Sequence, residues 1–216
     1  MARYKLPDRE LYLAPSPAGA YYGVSGNEKD PARKFIQTLL GEKVSPLLTL
    51  ETLQYFMQMN DPDEALEFLH RLKKLGWIEG LGEEAEAPAG RLEDILSEIL
   101  PKFSANGKAL LADGQGFYIS SSGFPHETAE ELSGLSANIA SLHERYQGVL
   151  KNNLGEGSNA WGLIDAAGNS QIGFWPIFIG EQRFVLVIGG LPQLNHSALT
   201  KLIWALSIRY GDTGDL

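Results

Sequence analysis

Residues 107–142 read GKALLADGQGFYISSSGFPHETAEELSGLSANIASL, and the fold turns on them. Lys108-Ala109-Leu110-Leu111-Ala112 and Gly116-Phe117-Tyr118-Ile119-Ser120-Ser121 are strand-like runs on either side of Asp113-Gly114. That dipeptide signals a hairpin, because glycine tolerates the positive φ such turns need. Thr128-Ala129-Glu130-Glu131 has the spacing of a capping box and predicts a helix opening there and reaching Leu154. Along it Leu132, Leu135, Ile139, Leu142, Tyr146 and Val149 recur in alternating steps of three and four, a heptad-like seam. The central line of Leu132, Leu135, Ile139 and Leu142 must be buried against something, either its own sheet or a second subunit. Asn138, Ser141 and Arg145 stay near its edge.

Outward from this stretch the pattern stays regular. Residues 158–191, SNAWGLIDAAGNSQIGFWPIFIGEQRFVLVIGGL, contain a second hairpin, with Ser158 to Asp165 and Gln171 to Ile179 flanking Ala166-Ala167-Gly168-Asn169. The unbroken run Arg183 to Ile188 predicts a strand buried on both sides. Asn195 reads as the cap of a closing helix with Leu199, Leu202, Ile203, Leu206 and Ile208 on its apolar face. Upstream, Leu92, Ile95, Leu96, Ile99 and Leu100 define an amphipathic helix that Pro101 ends. The order from Arg91 is α-β-β-α-β-β-β-α. Trp161 and Leu163 share one face of their strand, with Ala160, Gly162 and Ile164 on the other. Trp161 has two readings: monomer core beneath a helix, or anchor of a dimer or partner surface. Phe174 and Trp175 straddle the next strand and read as core.

This order, carried by the two quoted stretches, resembles the roadblock family of dynein light chains and prokaryotic GTPase regulators. The matching features are the turn from Asp113-Gly114 to Gly116, Ala129 to Leu142 as the long helix, Pro176-Ile177 in the fourth strand, and the apolar fifth strand. The resemblance implies an α+β fold: a five-stranded antiparallel sheet with helices packed on its faces. It also implies homodimers that pair the long helix and third strand across a two-fold axis, a scaffolding or regulatory role toward Ras-like small GTPases, and no catalytic residues. On that basis Leu135, Asn138, Leu142, Arg145, Tyr146, Trp161 and Leu163 are the expected dimer or partner interface.

The N-terminal part has a different character. Residues 1–29 are rich in Pro, Gly and Tyr and read as an extended arm with one short strand at Ala20 to Val24. Asp30-Pro31 and Asp61-Pro62-Asp63-Glu64 are helix starts, each an acceptor followed by proline where a missing N–H costs nothing. A helix over Leu50 to Met57 lies between them, and Trp77-Ile78-Glu79 reads as a short strand. The run ALEFLHRLKKLGWIEGL closes a segment, residues 30–81, that resembles a winged helix-turn-helix domain. GEEAEAPAG, residues 82–90, has a linker composition and predicts a mobile boundary before a roadblock-like domain at 91–216.

Charge bears on partners. Residues 1–81 hold ten Lys and Arg against eleven Asp and Glu; residues 82–216 hold eight against sixteen, within a total of -9. The acidic half repels a phosphate backbone. His70, Arg71, Lys73 and Lys74 are the candidate nucleic-acid contacts. A docked recognition helix presents its N-terminal end to the bases, however, and here that end is Asp61, Asp63, Glu64 and Glu67. Acids first and bases last complement the helix macrodipole without any ligand, so protein docking stands ahead of DNA.

The same residues exclude much chemistry. There is no cysteine, hence no disulfide or thiolate site. His70, His126, His143 and His196 lack ligand spacing and read as surface or capping residues. Ser120-Ser121-Ser122-Gly123 lacks the G-x-S-x-G elbow, and Gly155-Glu156-Gly157 and Gly189-Gly190 lack the Walker lysine and the dinucleotide spacing. No apolar run approaches the ~20 residues of a membrane span, and the N-terminus has no apolar stretch of a secretory signal. The expectation is a non-enzymatic, cytoplasmic, homodimeric adaptor or regulator of a small GTPase, with no cofactor. The alternative is a dimeric DNA-binding regulator.

Overall fold

A computed structural model describes residues 4–28, 30–154 and 158–211, which divide into two compact units. One runs from the N-terminus to Ala89 and resumes at Leu199; the other is Gly90–Ala198. Among the described residues no helix is long and apolar enough to cross a membrane. The Gly155-Glu156-Gly157 turn lies outside the described residues.

In the first unit, the segment read as an extended arm is ordered structure. Strand β1 (Tyr12–Pro15) is followed by helix α1 (Pro17–Val24), which covers the stretch expected as a strand. The physical reason is a start signal of the same kind as Asp30-Pro31 and Asp61-Pro62: Ser16 caps the helix by accepting from Gly19 N at 3.1 Å, and Pro17 takes the first helical position. Helices α2 (Pro31–Gly41), α3 (Leu50–Met57) and α4 (Pro62–Lys74) lie where the sequence places them, capped by Asp30, Thr49 and Asp61. Strand β2 (Ile78–Leu81) pairs antiparallel with β1, matching Pro15 to Ile78 and Tyr12 to Leu81. Phe35, Ile36, Leu40, Leu53 and Leu72 are buried among these elements. The composition of 82–90 suggests a free linker, yet its middle is strapped down. Ala87 N donates to Lys43 O and Ser45 N to Ala85 O, both at 2.8 Å, and Ala85 N donates to Ser45 Oγ. In all three the linker contributes only backbone groups, which composition does not reveal.

Burial pushes the Tyr21 phenol up to about 12 from its ordinary 10. The folded chain therefore holds this proton more tightly than the unfolded chain does. The associated stability is present below pH 10 and is lost as the pH rises through about 12. Tyr21→Phe should remove an alkaline loss on the order of 2 kcal/mol, read by denaturant unfolding on either side of pH 10. An identical alkaline loss in both proteins would show that Tyr21 is not its source.

In the second unit, α5 (Leu92–Ile99) passes into a 3-10 turn at Leu100–Phe103 carrying Pro101. Strands β3 (Ala109–Asp113) and β4 (Tyr118–Ser122) form the first hairpin. Helix α6 (His126–Leu154), strands β5 (Trp161–Ile164), β6 (Ser170–Ile179) and β7 (Gln182–Gly189) follow. All ladders are antiparallel, in the spatial order β4-β3-β7-β6-β5. The apolar strand β7 is central, with Phe184 to Gly189 buried, as its unbroken pattern requires. Leu110, Ala112, Val185, Val187 and Phe174 face α6 and form one core with Ala129 and Leu132; each large apolar side chain so buried contributes about 1.5–3 kcal/mol.

Three local details differ from the sequence reading. Helix α6 begins at His126, so Thr128 lies in its first turn and is not its cap. In the first hairpin the positive φ falls on Gly116, at 92°, and not on Gly114. At Gly114 a Cβ would lie 3.1 Å from Arg183 O, a closer approach than an ordinary van der Waals contact. The closing helix α7 (Ala198–Tyr210) starts with His196 Nδ1 accepting from Ala198 N at 3.0 Å, in place of the expected Asn195 cap. Its expected apolar face is buried at Leu199, Leu202, Ile203 and Leu206. From Leu199 onward the helix groups with the first unit, where Trp204 Nε1 donates to Glu42 O at 2.7 Å. The sequence reading places this helix in 91–216; a tie across that separation leaves no local signal.

Candidate functional site

The site is built on α6 and β5. Small side chains let α6 lie close to its sheet: Ala129, Ser133, Ser136 and Ala140 are buried beside Leu132. Both buried serines satisfy their hydroxyls on the helix itself, Ser133 Oγ donating to Ala129 O and Ser136 Oγ to Ser133 O, each at 2.7 Å. Gly116 completes the fit, for a Cβ there would meet Ala137 Cβ and Ser133 O at 3.2 Å. The seam thus divides. Leu132 and Ile139 pack on the protomer's own core, whereas Leu135, Leu142, Tyr146 and Val149 are 46%, 42%, 48% and 51% exposed. Their spacing of seven, four and three residues puts them on one stripe. Asn138, Ser141 and Arg145 are exposed along its margin.

Beside the stripe lies an open sheet edge. Among the described strands β5 pairs only with β6, and its outer side presents unpaired backbone groups. Leu163 and Ile164 are both exposed there, although they alternate in sequence. A bulge between them and the absence of an outer neighbour explain why alternation hides neither. Ile164 is therefore an interface candidate that period-two reasoning assigned to the opposite face. Trp161 is half-buried, and its indole N–H donates to His143 Nδ1 at 3.1 Å. It is neither deep core nor free surface: it ties the edge strand to the helix. Phe174 is buried and Trp175 half-buried, its ring lying over Gly173.

Charge fixes the helix on its other margin. Glu144 pairs with Arg183, which also donates from Nη2 to Gly114 O at 3.1 Å. One guanidinium thus connects α6, β7 and the first hairpin turn. At the second hairpin, Asp165 Oδ1 accepts from Asn169 N and Ala167 N at 2.9 Å. The backbone hydrogen bond from Asn169, above all, holds that carboxyl below its ordinary value.

The candidate nucleic-acid residues lie elsewhere. His70, Arg71, Lys73 and Lys74 are all exposed on the later turns of α4, as are Asp61, Asp63, Glu64 and Glu67 on its earlier ones. His70 stacks on Tyr4, centroids 4.3 Å apart, and the Arg71 guanidinium lies 5.4 Å from the Phe68 ring centre. His126 sits 2.7 Å from the Tyr118 hydroxyl. No group of three His, Asp or Glu residues among those described converges as a metal site.

In element order and strand order the second unit has the α+β arrangement that the roadblock resemblance of the sequence implies, a five-stranded antiparallel sheet with packed helices. Among solved structures, the chain is similar to a roadblock/LC7 domain from Streptomyces avermitilis, with 13% identity over 54% of this chain and 95% of that one and a TM-score of 0.38. It is also similar to an MglB with tetrameric arrangement, with 17% identity over 58% of this chain and 93% of that one and a TM-score of 0.37. The gliding protein mglB from Thermus thermophilus gives 18% identity over 58% and 94%, with a TM-score of 0.33. Neither a family model nor a curated protein matches the chain.

Proposed function

We propose that this protein is a homodimeric, non-enzymatic adaptor or regulator in the cytoplasm, and that its roadblock-like unit engages a Ras-like small GTPase. The observation that carries the dimer is the exposed apolar stripe Leu135, Leu142, Tyr146 and Val149 beside an unpaired edge strand with exposed Leu163 and Ile164. A stripe of that kind left in water is an aggregation liability; pairing with its symmetry mate closes both the stripe and the edge. The role toward a GTPase rests on the family resemblance of the sequence. The helical part of the N-terminal unit is read as winged-helix-like, with protein docking as its use.

Arg145→Glu tests the margin of the interface. It places a carboxylate beside Glu144, near the same residues of the mate, and should weaken dimerisation by about 1 kcal/mol per close contact with an unchanged fold. Trp161→Ala, which removes the indole that ties β5 to α6, should weaken it as well. Sedimentation equilibrium reads both. If both variants dimerise with unchanged affinity, α6 and β5 are not the interface. For the partner, the test is binding of purified, nucleotide-loaded small GTPases from the same organism to the chain on a biosensor surface. Indifference of every one of them to both the dimer and its variants would overturn the GTPase reading.

A further inference from the structure

The first unit holds a cleft of its own. The segment around Tyr4 and Lys5, the residues before α3, and the outer turns of α4 line an open cleft of about 560 Å³. Leu48, Leu66 and Leu69 give it an apolar floor, and Lys5, Lys73 and Lys74 stand exposed around it. The stacking of Tyr4 on His70 brings the N-terminal segment against the helix. Among the described residues that line the cleft none carries a carboxylate, in a chain whose net charge is -9. Lys73 and Lys74 alone would be accounted for by the C-terminal end of the helix dipole. Lys5 would not, because it comes from a separate segment and meets them over the same apolar floor.

We propose that this cleft is a docking site for an acidic amphipathic helix of a partner protein. Leucine-like side chains of the partner seat on Leu48, Leu66 and Leu69, and its Asp and Glu flanks face Lys5, Lys73 and Lys74. A phosphate backbone gains nothing from an apolar floor, since nucleic acids are held by polar contacts to phosphate and base edges. A flat anionic lipid surface does not fill a concave cleft. The inference goes beyond the dimeric GTPase reading and does not depend on it.

The test is fluorescence anisotropy on the full chain with three labelled probes. They are a helical peptide with leucines on one face and glutamates elsewhere, the same peptide with lysine for every glutamate, and a random-sequence DNA duplex. The glutamate peptide should bind, more weakly as salt rises, and the lysine peptide should bind at least about tenfold less tightly. Lys73→Glu/Lys74→Glu and, separately, Lys5→Glu should each weaken the glutamate peptide about tenfold. Lys5 lies outside α4, so its effect cannot be a consequence of a weakened helix end. The proposal is overturned if the glutamate peptide does not bind, if the two peptides bind alike, or if Lys5→Glu changes nothing. It is equally overturned, in favour of nucleic acid, if the duplex binds and Lys73→Glu/Lys74→Glu abolishes that binding while the peptide is ignored. A chain that proves monomeric leaves these readouts unaltered, so the two readings fail separately.

Discussion

Replacing Leu135 and Leu142 together by Asp should convert the proposed dimer to a monomer without loosening the fold. Both side chains are nearly half exposed within one protomer, and the helix is held on its sheet by Ala129, Leu132, Ser133, Ser136 and Ala140. Few contacts internal to the protomer are therefore lost. In the dimer each leucine withdrawn from water contributes about 1.5–3 kcal/mol, and two-fold symmetry counts every substitution in both protomers. The new carboxylates would also oppose one another. Dimer affinity should fall at least about a hundredfold, which is ~2.7 kcal/mol. Sedimentation at matched concentration reads this loss. Melting at dilutions where both proteins are monomeric should differ little, whereas Leu110→Ala in the core should cost about 2–5 kcal/mol; Leu110 is fully buried. Should the double variant melt as early as Leu110→Ala under those conditions, the stripe belongs to the protomer's own core and the interface claim fails.

Gly19→Ala should destabilise the first unit severely, against the direction of helix propensity. Alanine in a helix interior ordinarily gains about 1 kcal/mol over glycine. At Gly19, however, the added Cβ would stand 1.9 Å from Trp77 O, a backbone atom just before β2. Trp77 O is itself held, accepting from Ser16 N at 3.0 Å, so it cannot give way without loss of the α1 cap region. Relief requires moving α1 away from the β1–β2 ribbon, at a net cost of about 3 kcal/mol or more. Gly41→Ala, with nothing within 4 Å of its added methyl group, is the control and should be nearly neutral. Denaturant midpoints of the two variants read the contrast. Equal midpoints would mean that α1 is not packed as described.

The regular parts of this architecture were readable because local signals agreed with the final packing. Asp30-Pro31 and Asp61-Pro62 announced α2 and α4, and the unbroken run at Arg183 to Ile188 announced the central strand. Helix α1 is not legible in the sequence pattern, although Ser16-Pro17 is the same kind of signal. Its buried face is Gly19, Ala20, Gly23 and Val24, small residues that leave no stripe of large side chains to count. The strapping of residues 85–87 onto Lys43 and Ser45 and the tie from Trp204 to Glu42 join groups far apart in sequence, which no residue pattern encodes. At the candidate site the heptad spacing identified a seam but not which members face the sheet. Leu132 and Leu135 look equivalent in sequence, and only the position of the sheet sends one inward and the other to solvent. Trp161 likewise needed its partner, because nothing in residues 158–165 reveals that His143 accepts its indole proton.

The exposed stripe and the open β5 edge converge on one claim, that two chains pair through α6 and β5. Light scattering of the unmodified protein, diluted through the micromolar range, tests it most directly. A mass of twice 23.6 kDa that declines only on strong dilution is the predicted result; 23.6 kDa at every concentration contradicts it.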